Sequence, residues 1–339
     1  MRRNRLVIFA VISLMAVLLI SACDKSSQGS ATDSAATGSD PTKLAPITEV
    51  KMVKIPAGEF IRGSNKVDDS GMKERYGFPN DLYMDEHPEQ KLYLDEFYID
   101  MYEVTNASYK EFILHTKRMM PFQWINNGYS LSEAQMQAMD VEKLRMLGVD
   151  FFKLDMDTRE MDKPALIKAM LAQQNTLDQY PIGNVSWFDA KTYCQWRDAR
   201  LPTEAEWEKA ARGTAAFEYP WGNEWDPEIT NTGDNIQGEK DQLQEGIVRV
   251  GSYPGNRSPY GVYDMSGNVW EWVNDWYDAY PGSEYQNDNF GQSNRVIRGG
   301  GGGIGHYAIS YFFRAASRQF SEPELQSEDV GFRCAKNAH

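Results

Sequence analysis

The stretch from residue 259 to residue 277, PYGVYDMSGNVWEWVNDWY, limits what this chain can fold into more than any other part of it. Its closely spaced tryptophans are Trp270, Trp272 and Trp276. Large aromatic side chains each bury roughly 150–250 Å², so the stretch needs a hydrophobic core. Alternation along Val269–Val273 indicates a β-strand with Val269, Glu271 and Val273 on one face and Trp270 and Trp272 on the other.

Glu271 carries a carboxylate, so burying it in a hydrophobic core requires a partner that stabilises its charge. An unpaired buried charge costs several kcal/mol, roughly. Three kinds of partner would stabilise the carboxylate: an arginine, backbone amides or a hard cation. The sequence leaves all three open.

Composition narrows the class of protein. The chain has 339 residues, 41% of them hydrophobic, and nine tryptophans, which is enough for one large or two ordinary globular domains. Its formal charge of −14 provides no basic surface for a phosphate backbone. The sequence therefore predicts a globular protein that does not bind nucleic acid.

The N-terminus predicts export and lipidation. Arginines at positions 2, 3 and 5 precede an apolar segment, 6–20, that is too short for a comfortable membrane span. The segment runs into the letters LISAC, which resemble the bacterial lipobox, where cleavage precedes a lipid-carrying cysteine. We predict a lipoprotein signal peptide at 1–22, lipidation at Cys23 and a lipid-anchored location in the bacterial cell envelope. An ordinary secretory signal is the alternative.

Residues 23–46 predict a flexible tether. After Cys23 they are mainly serine, alanine, glycine and aspartate, with almost nothing to bury. Random-coil scaling puts their ends roughly 25–30 Å apart. The following domain would then lie just off a membrane surface.

Cys194 and Cys334 are the two cysteines beyond this tether. Outside the cytoplasm, a lone pair of cysteines in one domain most simply forms a disulfide. Such a bond would close a long loop and contribute about 2–5 kcal/mol of stability.

Residues 47–337 predict one domain with an insertion. Strand-like segments at 52–55 and 59–62 flank a Pro-Ala-Gly turn, a pattern typical of a hairpin. Residues 118–180 contain eight of the 15 methionines at spacings that indicate two or three helices. A methionine-rich helical face is typical of a pliable partner-binding surface, although more often such a face only fills a core.

Two helices and a glycine run follow the insertion. Ser186 with Asp189, and Thr203 with Glu206, have the spacing of helix N-terminal capping boxes. The five consecutive glycines at 299–303 indicate either close approach of another backbone or ligand, or a mobile loop.

Eight ordered motifs make the chain resemble the formylglycine-generating enzyme, or sulfatase-modifying factor, family from about residue 47 to 337. They are MVKIPAGEFIRGS, YEVTNASYKEF, NVSWFDAKTYCQW, RLPTEAEWEKAARG, YPWGNE, YGVYDMSGNVWEW, RVIRGG and GFRCA. The resemblance implies an irregular α+β fold related to C-type lectin-like domains, with little regular secondary structure. The helical insertion at about 118–180 interrupts the match.

The resemblance also implies which chemistry is missing. It pairs Cys194 with Cys334 in a disulfide, and it places the two copper-binding cysteines of active members at Gly305 and Ser310, with His306 beside the first. Copper(I) prefers soft thiolate ligands. The resemblance therefore implies a member that lacks the copper site of the formylglycine generators.

Structural Ca²⁺ is a further implication of the resemblance, because the family's ligands are backbone and carboxylate oxygens. One family site corresponds to Gly267, Val269 and Glu271. A second corresponds to Asn231 and Thr232, followed by Asp234 or Glu239.

The family's substrate groove suggests where a partner would bind. It corresponds to a candidate groove formed by Trp272, His306, Ser310, Tyr311 and the glycine run; core packing explains Trp272 and Tyr311 equally well. We hypothesise a membrane-anchored extracytoplasmic accessory or binding protein for a peptide, glycan or protein partner. The alternative is a divergent oxidoreductase or periplasmic maturation factor, similar to relatives in pyoverdine maturation, in which His306 and a metal would act.

Overall fold

A computed structural model describes residues 50–233, 246–302 and 309–338. Within these ranges the chain is a mixture of short helices and small sheets joined by long irregular segments, as predicted for the α+β class. The helices are α1 Met72–Tyr76, α2 Asn106–Thr116, α3 Phe122–Asn126, α4 Glu133–Ala138, α5 Val141–Asp150, α6 Lys163–Leu177, α7 Trp187–Trp196 and α8 Glu204–Arg212. The strands are β1 Met52–Ile55, β2 Gly58–Arg62, β3 Gln90–Leu94, β4 Phe97–Asp100, β5 Trp270–Trp276, β6 Arg295–Arg298, β7 Gln319–Ser321, β8 Val330–Phe332 and β9 Ala335–Asn337.

The strands of the described ranges form three sheets. The orders are β1-β4-β9, β2-β3 and β7-β6-β5-β8. Strand β5, which carries the WEW motif, runs antiparallel to β6 and parallel to β8. The aromatic stretch therefore lies in the middle of the largest described sheet.

The predicted hairpin at the start of the domain is wrong, although both of its strands exist. Strand β1 pairs with β4, and β2 pairs with β3 in a separate sheet. The turn between them passes the chain from one sheet to the other. Non-local packing decides this, because Ile55 is fully buried opposite Phe97 in the β1–β4 register.

Both faces of β5 are buried, and they face different hydrophobic clusters. Trp270 and Trp272 pack into one cluster, while Val273 packs with Trp207 into the other. Val269 was predicted on the face of Glu271 but joins the tryptophan cluster instead, because it lies before the strand begins and does not follow its alternation. The predicted separation of faces is therefore confirmed inside the strand.

Local signals placed α7 and α8 correctly. The side chains of Ser186 and Thr203 accept hydrogen bonds from the backbone N–H groups of Asp189 and Glu206, and both capping boxes are complete. The predicted disulfide between Cys194 of α7 and Cys334 is present. It joins α7 to the segment between β8 and β9.

The insertion contains four helices, α3 to α6, rather than two or three. Its methionines divide between the two roles considered for them. Met136 and Met170 are fully buried, whereas Met119 is 93% exposed. Some methionines therefore fill the core of the insertion, and others face solvent.

The predicted signal peptide at 1–22, the tether at 23–46 and Cys23 lie outside the described residues. Among the helices of the described ranges, none has the length and hydrophobicity that a membrane crossing requires.

Candidate functional site

The carboxylate of Glu271 has an arginine partner. Arg333 donates to it twice, from Nε to Oε2 at 2.7 Å and from Nη2 to Oε1 at 2.6 Å. The indole Nε1 of Trp207 also donates to Oε2, at 2.9 Å. Of the three kinds of partner considered for Glu271, the structure supplies the first.

Arg333 fixes several chain segments around this ion pair. It donates to the carbonyl oxygens of Asp100 at 3.2 Å and Tyr263 at 3.0 Å. Burial disfavours the charged guanidinium, but the charge and hydrogen bond of Glu271, together with the charges of Glu103 and Asp264, outweigh burial and raise the pKa of Arg333 above its ordinary value. The guanidinium of Arg333 is therefore held in its charged form within the core.

A second set of buried carboxyl groups lies beside the ion pair. Burial raises the pKa of Glu103 well above its ordinary value, and the charge of Asp264 raises it further. Burial also raises the pKa of Asp264 to about 6, against the opposing effect of a hydrogen bond from the N–H of Gly251. Since Arg333 is already matched by Glu271, these two carboxyl groups need a proton or a cation for neutrality.

Asn268 connects the residues of the two predicted calcium sites. Its backbone N–H donates to the carbonyl oxygen of Asn231 at 3.0 Å, and the Nδ2 of Asn231 donates to its Oδ1 at 3.1 Å. The Nδ2 of Asn268 in turn donates to Oε1 of Glu103 at 3.0 Å. Asn231 and the strand entrance at Gly267 are therefore neighbours, and Glu103 joins them.

Two glycines allow this close approach. Gly267 has a φ of +82°, and a Cβ there would lie 2.4 Å from the carbonyl oxygen of Asn231. A Cβ at Gly302 would lie 2.2 Å from the carbonyl oxygen of Gly246. Of the two alternatives for the glycine run, close backbone approach is confirmed at Gly302; Gly303 lies outside the described residues.

The cluster fits a hard cation, but not through the carboxylate that was predicted. Glu271 is not left free as a ligand, because Arg333 takes both of its oxygens and would repel a cation. The Oε2 atom of Glu103 is buried and accepts from no N–H or hydroxyl group of the described residues, and the Glu103 and Asp264 side chains are within hydrogen-bonding reach of each other, so the two carboxyl groups share either a proton or a cation. Carboxylate oxygens of this kind suit Ca²⁺.

Backbone oxygens would have to complete such a site. Within the described ranges, no three carboxylate, imidazole or thiolate groups come together as a metal cluster. Carbonyl groups of Gly267 and Val269 remain predicted ligands. Thr232 is buried beside Asn231, while Asp234 and Glu239 lie outside the described residues.

The family's second copper position carries an oxygen rather than a sulfur. Ser310 is the first residue of a 3-10 turn, Ser310–Phe313. Its hydroxyl is hydrogen-bonded to Tyr219, whose pKa is raised by burial to about 12. Gly305 and His306 lie outside the described residues.

Two residues predicted to form the candidate groove belong to the core instead. Trp272 has no exposed surface and donates from Nε1 to the carbonyl oxygen of Val185 at 3.0 Å. Tyr311 is 4% exposed and packs edge-on against Tyr83 with ring centroids 5.0 Å apart. Their aromatic surfaces are used for packing, so the prediction is corrected for both.

Sequence reasoning missed Glu103, Asp264 and Asn268 as members of the central cluster. A signal existed, because each lies inside one of the eight motifs: Glu103 in YEVTN, and the other two in YDMSGNVWEW. Nothing local shows that the two motifs meet across a large sequence separation. Only the tertiary structure brings Glu103 to Asn268.

These features define a class of protein: an irregular α+β domain built on a tryptophan-rich strand, with a buried glutamate–arginine pair and a helix-to-C-terminus disulfide. The chain belongs to the family described as the sulfatase-modifying factor enzyme 1-like domain, whose model matches residues 39–338. The family resemblance is therefore confirmed.

Proteins named as formylglycine-generating enzymes, and proteins named as inactive forms of that enzyme, are similar to this chain over most of its length. The formylglycine-generating enzyme of Mus musculus is 29% identical over 300 residues, covering 86% of this chain and 76% of the mouse protein. The inactive C-alpha-formylglycine-generating enzyme 2 of Bos taurus is 31% identical over 302 residues, covering 85% and 89%. The structure of PvdO from Pseudomonas aeruginosa shares the fold, with a TM-score of 0.52 and 23% identity, covering 85% of this chain and 94% of that chain.

Proposed function

We propose that this chain is a lipid-anchored accessory protein of the bacterial cell envelope, which uses the formylglycine-generating-enzyme fold to bind a partner. On this proposal it is not a copper-dependent formylglycine generator. One observation carries the proposal: Cys194 and Cys334 are consumed by a disulfide. With three cysteines in the whole chain, only Cys23 is left, and it belongs to the predicted lipobox.

The residues at the two positions that correspond to the copper-binding cysteines argue against copper chemistry. Copper(I) is held by soft sulfur ligands, and two of them are needed at the positions of Gly305 and Ser310. A glycine offers no side-chain ligand, and the Ser310 hydroxyl is a hard oxygen that is already hydrogen-bonded to Tyr219. A relative whose name includes the word inactive, at 31% identity over 85% of this chain, is compatible with this conclusion.

Anchoring and partner binding are supported by the sequence. The positively charged start, the apolar segment 6–20 and Cys23 fit a lipoprotein signal, and 23–46 fits a tether. A tethered domain without a thiol pair suits a protein that holds a partner at the membrane. The partner would be a protein, peptide or glycan.

Calcium is the cofactor that we propose. Glu103 and Asp264 would hold it together with backbone oxygens, including those of Gly267 and Val269. When bound, Ca²⁺ would neutralise two buried carboxylates and stabilise the entrance of β5. Its role would be structural.

The purified protein should not convert a cysteine-containing peptide to the formylglycine product when supplied with copper(I) and O₂. The double variant Gly305→Cys with Ser310→Cys should gain copper(I) binding, because it restores two soft ligands. Mass spectrometry of the peptide and metal analysis of both proteins measure this. Turnover by the natural sequence, or stoichiometric copper or iron bound to it, would overturn the proposal in favour of a divergent oxidoreductase.

Cys23→Ser should release the protein from the membrane fraction of its host cells. The reason is that the serine hydroxyl cannot receive the lipid that the Cys23 thiol carries in a lipoprotein. Fractionation with detection of the domain measures the effect, and Ser26→Ala is the matched control, since it changes a residue of the predicted tether that carries no lipid and leaves the disulfide intact. Retention of the Cys23→Ser protein in membranes would contradict lipid anchoring.

The calcium-free protein should lose stability as the pH rises from about 4 to about 6. Asp264 has a folded-state pKa of about 6, raised by burial from an ordinary value of 3.8. Between these values the folded state holds the proton more tightly than the unfolded state, so ionisation opposes folding by up to about 1.4 kcal/mol per pH unit for one proton. Calcium should restore the loss near pH 7, because it binds the ionised carboxylates.

Urea denaturation near pH 5 and near pH 7, with calcium or with a chelator, measures both effects. Asp264→Asn should remove part of the pH dependence and most of the calcium response. Asp275→Asn is the matched control, since burial also raises the pKa of Asp275 to about 6, but this residue lies near the end of β5, where it accepts from the N–H of Glu204, the first residue of α8. An unchanged calcium response in Asp264→Asn would contradict the proposed site.

A further inference from the structure

A groove separate from the central cluster opens where the insertion leaves α2. Its volume is about 400 Å³, within the range of sites that bind small molecules and chain ends. One wall comes from Arg118–Phe122 at the start of the insertion, and the opposite wall comes from 184–189 at the start of α7. Tyr109 and Gln326 complete the lining.

Apolar side chains are concentrated at the mouth of this groove. Met119 is 93% exposed and Phe122 is 53% exposed, and both line it. Clusters of exposed apolar surface bordered by polar groups mark binding sites more often than isolated exposed residues do.

Two side chains of opposite charge, Arg118 and Asp189, line this groove. Burial raises the pKa of the Tyr109 hydroxyl, the charge of Asp189 raises it further and the charge of Arg118 opposes this, so both charged groups lie near the phenol. Arg118 has no carboxylate partner among the described residues; its guanidinium lies 5.9 Å from the centroid of the Phe112 ring. The groove therefore offers a cation that forms no direct ion pair among the described residues, although the Asp189 carboxylate lines the same groove.

Two polar groups in the wall have unused hydrogen-bonding capacity. The Nδ2 atom of Asn184 is buried and has no acceptor within the described part of the chain. Asp189 accepts from the N–H and the hydroxyl of Ser186 through Oδ2, and none of the described hydrogen bonds uses its Oδ1. An unpaired buried donor costs roughly 1–3 kcal/mol, which a ligand oxygen would recover.

We propose that this groove binds the carboxyl-terminal end of a peptide whose last residues are apolar. Arg118 would pair with the terminal carboxylate, and Asn184 would donate to a ligand oxygen. Asp189 would accept a backbone N–H of the peptide. Met119 and Phe122 would cover its apolar side chains.

The mixture of groups favours a peptide over a fatty acid. An acyl chain would satisfy Arg118 and the apolar walls, but its methylene groups could donate no hydrogen bond to the Oδ1 of Asp189 and form none with Gln326. A peptide end carries a carboxylate, N–H donors, C=O acceptors and apolar side chains together. Capture of terminal carboxylates is an established mode of peptide recognition.

Binding of N-acetyl-Leu-Leu-Phe to the full chain carrying Cys23→Ser, measured by titration calorimetry, tests the proposal. The same peptide with a carboxyl-terminal amide should bind about tenfold more weakly, because it cannot form the charged pair with Arg118. Arg118→Ala should weaken the acid form about tenfold and leave the amide form unchanged, so the preference disappears. Asn184→Gly should weaken both forms, and its backbone is tolerated because Asn184 has a φ of +54°.

The matched control is Arg159→Ala, which removes an exposed arginine of the insertion that pairs with Asp157 and should leave binding unchanged. Equal affinity for the acid and amide peptides would overturn the proposal, and so would absence of binding by a protein whose circular dichroism shows it folded. Tighter binding of dodecanoate, with displacement of the peptide, would assign the groove to acyl chains instead. None of these results depends on the copper, calcium or membrane experiments, so this inference stands apart from the proposed function.

Discussion

Replacing Arg333 by methionine should destabilise the domain by about 3–5 kcal/mol, the range for breaking a buried ion pair from one side. Arg333 is fully buried and holds both oxygens of Glu271. Without it, Glu271 keeps only the indole N–H of Trp207. The nearby carboxyl groups of Glu103 and Asp264 would also lose the positive charge that opposes their raised pKa values.

Equilibrium urea denaturation near pH 7, with calcium removed, measures this loss. It should be smaller near pH 5, because carboxylates left without a counter-charge can take up protons there. Lys336→Met is the matched control: its ion pair with Asp198 lies at the surface, with the aspartate side chain 90% exposed, so the change should stay within about 0.5 kcal/mol. A loss below about 1 kcal/mol for Arg333→Met would mean that the pair does not hold the core together.

Removing the disulfide by changing Cys194 and Cys334 together to alanine should cost about 2–5 kcal/mol. The bond links residues 140 positions apart, and without it the unfolded chain regains the freedom that the closed loop denied it. Both cysteines are fully buried, so alanine also leaves a small loss of packing. Thermal and urea unfolding of the oxidised protein and the double variant measure the difference.

Cys23→Ser is the control for this experiment, since it removes a cysteine outside the disulfide and should not change the unfolding free energy. A single change at Cys194 or Cys334 would leave the other cysteine as a free thiol, so the measured difference in stability would not report on the disulfide alone. If the double variant unfolds at the same urea concentration as the natural protein, the disulfide contributes nothing net to stability.

The parts of the fold that the sequence predicted well depend on local signals. Capping boxes at Ser186 and Thr203 need only residues three positions apart, and both helices begin there. Alternation around Trp272 indicated the strand and its two faces because the period of a strand is short. The disulfide followed from a count of cysteines together with the predicted compartment.

The predictions of the fold that the structure contradicts depend on which segments, distant in sequence, pack together. Strand β1 has a neighbour in sequence, β2, yet it pairs with β4 because Ile55 buries against that strand. The insertion's helices were miscounted because α4 and α5 are separated by little more than the Asp140 cap, which methionine spacing does not show.

The same reason explains the errors at the site. Glu271 suited a calcium ligand or an arginine partner equally well in sequence, and only the fold brings Arg333 to it. Trp272 was assigned to a groove, but the strand's burial on both faces leaves no surface for one. Glu103 and Asp264 have no distinguishing local pattern; their importance comes from burial side by side.

The bond between Cys194 and Cys334 turns 194–334 into a covalent ring that contains β5, β6 and β8. A protease that cuts the backbone once inside this ring opens it without separating it into two molecules. The severed ends stay attached through sulfur, and the sheet that joins β5 to β6 and β8 holds them in register. A nicked copy therefore remains one covalent molecule until a reductant reaches the bond.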